Sequence, residues 1–113
     1  MKVELYQTDD SRISFMSFDH KLTNAKQFDL KTNGYKKVLE LDYQFNTDNR
    51  DMQLEELFVY LNRDDRPLRT KIRSMSISDI VVVEDEAYYC DSFGFKPINI
   101  KNAKERGESY RIR

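Results

Sequence analysis

The chain has little of what small secreted or catalytic domains usually depend on. Its 113 residues include one cysteine, Cys90, and one histidine, His20. A single cysteine closes no internal disulfide, and one Cys with one His builds none of the usual zinc sites. Three glycines and two prolines leave no Gly-rich phosphate loop and no obvious linker. The Gly-x-Ser-x-Gly and His-Glu-x-x-His patterns are missing too, so the common nucleotide-binding, hydrolase and metalloprotease classes lose most of their support. The longest apolar run, Ile80 to Val83, is far too short for a membrane span, and Met1 to Tyr6 has no signal-peptide core. A cytoplasmic protein is expected, with no membrane role. Neither sign of charge dominates. Lys and Arg number 19, Asp and Glu 20, and the net charge is −1. The chain as a whole is not drawn to nucleic acid or anionic lipid.

Aromatic residues are well represented, with seven Phe and seven Tyr. Each buries a large area, which offsets a hydrophobic fraction of 39% beside 35% charged residues. The length suits one domain with one core. The expected organisation is a single domain over 1–100 and a polar, loosely held tail over 101–113.

Val3 and Leu5 alternate with charged residues and predict a first strand. Thr8 to Ser11 reads as a turn, and Ile13 to Leu22 fits a short helix slightly better than a strand. Asn33-Gly34 is the strongest hairpin signal, because both residues tolerate the positive φ of a type I′ turn. It predicts a hairpin over Gln27 to Phe45. Leu54, Leu57, Phe58 and Leu61 follow at i, i+3, i+4 and i+7, the stripe of a helix capped by Asp48 or Asp51. Leu68 to Arg73 alternates as a strand would. The apolar phase then shifts near Ser74 and again at Ser78-Asp79, where a bulge or turn is expected. Ile80 to Val83, the acidic turn Glu84-Asp85-Glu86 and a return strand from Ala87 to Phe93 or Phe95 form a buried hairpin ended by Pro97. The fold class is α+β: a mostly antiparallel sheet of about four to six strands with one main helix packed on it. The helix stripe is expected to face Ile77, Ile80, Val82 and some of Tyr88, Tyr89 and Phe93.

Chemistry-bearing residues are few. Cys90 and His20 formally permit a nucleophile–base pair, but Cys90 lies in an aromatic strand, where a small buried thiol is ordinary. Asp79, Glu84, Asp85, Glu86 and Asp91 are five acids without an intervening base. Such a group can bind a divalent cation or serve acid–base chemistry, yet its spacing matches no EF-hand loop and suits a solvated turn. Arg63 to Arg73 and Lys101 to Arg113 each carry a local charge of +3. Arg66, Arg69, Lys71 and Arg73 are therefore candidate ligand- or partner-binding residues, the last three on one strand face at period two. The interleaved aromatics of a single-strand platform are missing. No catalytic residue, metal site or cofactor is expected.

Ser74-Met75-Ser76-Ile77-Ser78-Asp79-Ile80-Val81-Val82-Val83, followed by Ala87-Tyr88-Tyr89-Cys90-Asp91-Ser92-Phe93-Gly94-Phe95, resembles the YodL-like family. Phe28-Asp29-Leu30 and Leu54-Glu55-Glu56-Leu57-Phe58, with Asn62 closing the helix, are similar to that family's upstream elements. The resemblance spans roughly Val3 to Pro97. It is specific in the last third, and the chain departs from the pattern in the basic insert from Arg63 to Arg73. It implies a small bacterial domain of Firmicutes and their mobile elements, with no assigned catalytic residues. A non-catalytic interaction or accessory module with a protein partner is the function it favours. Nucleic-acid or phosphate binding through the 63–73 segment and the tail is the alternative. Asp79, Asp91 and Gly94 are read as a structural signature. Asp91 is expected to be partnered by the Ser92-Phe93-Gly94 backbone or by a base of the insert, and Gly94 to supply a positive φ.

Overall fold

The computed structural model describes residues 1–10, 28–66, 72–101 and 110–112. The expected helix within Ile13 to Leu22, His20, and the candidates Arg69 and Lys71 lie outside the described residues.

Among the described residues, eight strands and one helix follow in order: β1 Lys2–Thr8, β2 Phe28–Asp29, β3 Tyr35–Asp42, α1 Arg50–Tyr60, β4 Ile80–Val83, β5 Glu86–Cys90, β6 Phe95–Ile98, β7 Ile100–Lys101 and β8 Tyr110–Ile112. The main sheet has the order β6-β5-β4-β1-β3-β8. Its first five strands are antiparallel neighbours, and β8 joins β3 in parallel. The α+β class and the largely antiparallel sheet stand as expected. Part of the segment read as a loose tail is thus an edge strand, which gives partners to the otherwise unpaired backbone groups of β3. β2 and β7 form a separate parallel pair.

The sheet is covered on both faces. On one, Val3, Leu5, Val81 and Val83 meet Leu54 and Leu57 of the helix and Leu61 at its C-cap. On the other, Tyr6, Ile80, Val82 and Tyr89 meet Phe28, Leu30 and Tyr35. All four β4 residues are buried, which is why their sequence is a run and not an alternation. The expected helix contacts are corrected by one residue of phase. The helix packs on Val81 and Val83, while Ile80 and Val82 point away from it, because successive strand residues face opposite sides.

The Asn33-Gly34 hairpin is also corrected. Phe28–Asp29 pairs with β7 and not with β3. Asp29 accepts from the N–H groups of Lys31 and Thr32 through Oδ1, at 2.9 and 3.2 Å. The Gly34 N–H returns to Lys31 O and the Tyr35 N–H to Leu30 O. That bond pair is the Schellman pattern of a helix end, with Gly34 at φ 72° in the left-handed position. Leu30 and Tyr35 supply the accompanying apolar contact. One helical turn, capped by Asp29 and ended by Gly34, has replaced a two-residue turn.

Helix α1 is capped by Asn49, whose side chain accepts from Met52 N, and not by Asp48 or Asp51. Asn62 Nδ2 donates to Phe58 O at the other end. Ile72 to Asp79 contains no strand, so Arg73 does not stand on a strand face. A turn does lie at Ser76–Asp79, closed by Asp79 N donating to Ser76 O. The return strand stops at Cys90. The chain bends through Asp91–Gly94 and comes back as β6, where Pro97 pairs opposite Tyr88 on the sheet's outer strand. An edge strand tolerates a residue with no N–H.

Candidate functional site

Two turns that each contain an aspartate flank the β4–β5 hairpin, and they are built very differently. The first is Ser76–Asp79. Asp79 is fully buried. Its Oδ2 accepts from Ser76 N at 2.9 Å and from Gln7 Nε2 at 3.0 Å, and its Oδ1 accepts from Arg73 at 3.2 Å. Arg73 also donates to Thr8 O at 3.0 Å. Gln7 spreads its amide over the Arg73 and Ser74 carbonyls as well. Ser78 is held at φ 85°, strained for a residue with a Cβ. Tyr35 Oη donates to Ser78 O at 2.6 Å, and Ser78 N donates to Cys90 O. Strands β1, β3 and β5 are thereby tied to a segment that has no ladder of its own.

The electrostatics of this knot follow from burial. Burial pushes the Asp79 carboxyl up to about 6, against Arg73, the Ser76 N–H and Gln7, which all favour the charged form. Burial likewise raises the Tyr35 phenol, with smaller contributions from Tyr89 and Asp79. The Cys90 thiol is pushed up to about 12, first by burial and then by Asp79 and Asp91. A thiol so placed stays protonated and is a poor nucleophile. A pocket of about 580 Å³ opens beside the knot, lined by Gln7, Asp10, Lys36 and Arg73 among others. Asp79 does not line it; Gln7 and Arg73 do, and both bond to Asp79.

The second turn is the Asp91–Gly94 bend. Ser92 N donates to Asp91 Oδ1 at 2.7 Å, and Asp91 N donates to Gly94 O at 2.9 Å. Gly94 sits at φ 79°, with open space where a Cβ would be. The bend thrusts Phe93 outward, 89% exposed. Phe95, back on β6, is half-buried in the helix-side core. Between the bend and α1 run two shallow grooves of about 170 and 240 Å³. Phe58, Glu55 and Asp51 line them from the helix, and Asp91, Phe93 and Phe95 from the bend.

The five acids of the 79–91 stretch do not converge. Asp79 is interior, Glu84, Asp85 and Glu86 are exposed at the hairpin tip, and Asp91 is in the bend. Glu86 pairs with Arg50 at 3.0 Å. Among the described residues no group of three or more His, Cys, Asp or Glu is placed to hold a metal ion. Of the basic candidates, Arg66 is half-buried and donates to Arg63 O. Arg73 is engaged with Asp79 and Thr8. Gln7, Tyr35 and Glu55 carry no sequence signal of their own. The outward Phe93 was legible in principle, since Asp-Ser-Phe-Gly is a bend sequence that breaks strand alternation.

The model of the YodL-like domain matches residues 2–100. The chain belongs to the YodL-like family. The chain is 32% identical over 93 residues to the uncharacterized protein R785 of Acanthamoeba polyphaga mimivirus, covering 73% of this chain and 85% of that protein. No solved structure matches. Both turns lie inside the YodL-like match. No helix among the described residues is long and apolar enough to cross a membrane.

Proposed function

We propose that this YodL-like domain is a non-catalytic interaction module, and that it engages a protein partner through Phe93 and the adjoining face of α1. The observation that carries the reading is the exposure of Phe93 on a bend locked by Asp91 and Gly94. Binding energy at interfaces concentrates on a few anchors that become buried in the complex, and an exposed aromatic beside grooves offers such an anchor. Phe58, at 36% exposure, continues the apolar surface along the helix. Support for a non-catalytic role comes from Asp79, whose raised carboxyl is sealed from solvent, and from Cys90, whose buried thiol is held protonated. An accessory role linked to mobile elements belongs to the same reading, and a relative encoded by a virus supports it. Nucleic-acid binding has less support, because the Arg73 guanidinium is committed within the fold. The test is a pulldown from the native host with the wild-type chain and Phe93→Ala in parallel. Capture of a protein by the first and not the second is expected. Equal capture by both, or capture by neither, overturns the reading.

A further inference from the structure

The Phe93 surface has a charge of one sign. Among the described residues, its grooves are lined by three carboxylates, Asp51, Glu55 and Asp91, and by no Lys or Arg. Asp51 and Glu55 stand one helical turn apart and are both exposed. The nearest bases in sequence are directed elsewhere. Lys96 follows Phe95 on β6 and so takes the opposite face of the sheet. Arg50 is occupied by Glu86 and the Val83 carbonyl, with its guanidinium over the Tyr88 ring. Phe58 lines one groove, Phe93 the other, and the half-buried Phe95 lines both.

We infer that the partner's contact segment is a basic peptide: a bulky apolar side chain that seats between Phe93 and Phe95, flanked by Lys or Arg that meet Asp51 and Glu55 of the same groove. This rests on the interaction reading proposed above and specifies its occupant. An apolar anchor alone is satisfied by Phe93 and Phe95. An acidic segment is repelled by three carboxylates, since like charges brought together at an interface are strongly unfavourable. Cations at the rim add attraction at long range and fix the register of the anchor. A second copy of this chain is a poor occupant by the same criterion, because the same face would set acid against acid.

The test uses the full chain, immobilised, and a random 12-residue display library as the probe. Selection is run on the wild type, on Phe93→Ala and on the double variant Asp51→Lys with Glu55→Lys, after all three are shown to melt alike. The expected result is wild-type binders enriched in Lys or Arg around an aromatic or aliphatic residue. Their affinity should fall by about tenfold or more on the charge-reversed variant and fall again with added salt. Binders that need Phe93 but are neutral or acidic overturn the basic-partner inference and leave the interaction reading standing. Binders indifferent to Phe93→Ala, or no enrichment at all, overturn the interaction reading itself.

Discussion

The turn at Ser76–Asp79 and the bend at Asp91–Gly94 lie at the same end of one hairpin, each built on an aspartate and a residue at positive φ. Their environments reverse their meaning. In the first, the aspartate is interior, and the strained residue is a serine whose backbone is held from both sides by Tyr35 and Cys90. In the second, the positive φ falls to a glycine with open space around it, and the aromatic beside it faces solvent. The buried turn spends its polar groups inside the fold. The exposed bend closes its own hydrogen bonds and leaves an apolar side chain outside. A perturbed carboxyl is a common pointer to function, yet here it lies in the buried turn, and the binding candidate is an exposed aromatic on the other.

The largest effect should come from removing the interior carboxyl. Asp79→Ala leaves Arg73, Gln7 and the Ser76 N–H without their acceptor, and is expected to destabilise the domain by about 3 kcal/mol. Denaturant melts check this. A loss under about 1 kcal/mol would erase the contrast between the two turns. Tyr35→Phe removes one donor and leaves the buried Ser78 carbonyl short of a partner, an expected loss of about 1–2 kcal/mol.

The same turn should give stability a pH dependence. With Asp79 raised to about 6, the folded chain holds this proton more tightly than the unfolded chain, where an aspartate titrates near its ordinary value. Its contribution is fully present at pH below that ordinary value and is lost as the pH rises through about 6. Melts of the wild type against Asp79→Asn between pH 4 and 7 should differ in slope in this direction. Parallel curves would show that the carboxyl does not titrate there.

Effects at the bend should be smaller in stability. Gly94→Ala forces a Cβ into the left-handed region without a clash, and about 1 kcal/mol of destabilisation is expected. Phe93→Ala should change stability by less than about 0.5 kcal/mol, since its side chain has little to lose on exposure.

How much of this was legible in the sequence depends on where the deciding interactions lie. The helix stripe at Leu54, Leu57 and Leu61 and the β4–β5 hairpin were readable, because their signals are local periods. The face of the sheet on which the helix sits was not, since all four residues from Ile80 to Val83 are apolar and no alternation chooses between them. Asn33-Gly34 misled because Asp29, four residues before Asn33, caps a competing helical turn. The candidate site was legible in composition only. Arg73 reads in sequence as a surface cation, and Gln7 and Thr8, more than 60 residues away in sequence, hold it half-buried against Asp79. Phe93 was placed in the core because aromatics in strands usually go there. The bend itself, with Gly94 at positive φ, was signalled by Asp91-Ser92-Phe93-Gly94; that the strand ends at Cys90 and so releases Phe93 to solvent was not.

The central claim is that the exposed bend, and not the buried turn with its neighbouring pocket, meets the partner. The most direct measurement is a backbone amide shift map of the full chain titrated with a peptide that binds it. The account predicts that the largest shifts fall on Asp51, Glu55, Phe58 and Ser92 to Phe95, with Gln7, Lys36 and Arg73 unmoved. Shifts centred on Gln7, Lys36 and Arg73 would contradict it and move the binding site to the pocket beside Asp79.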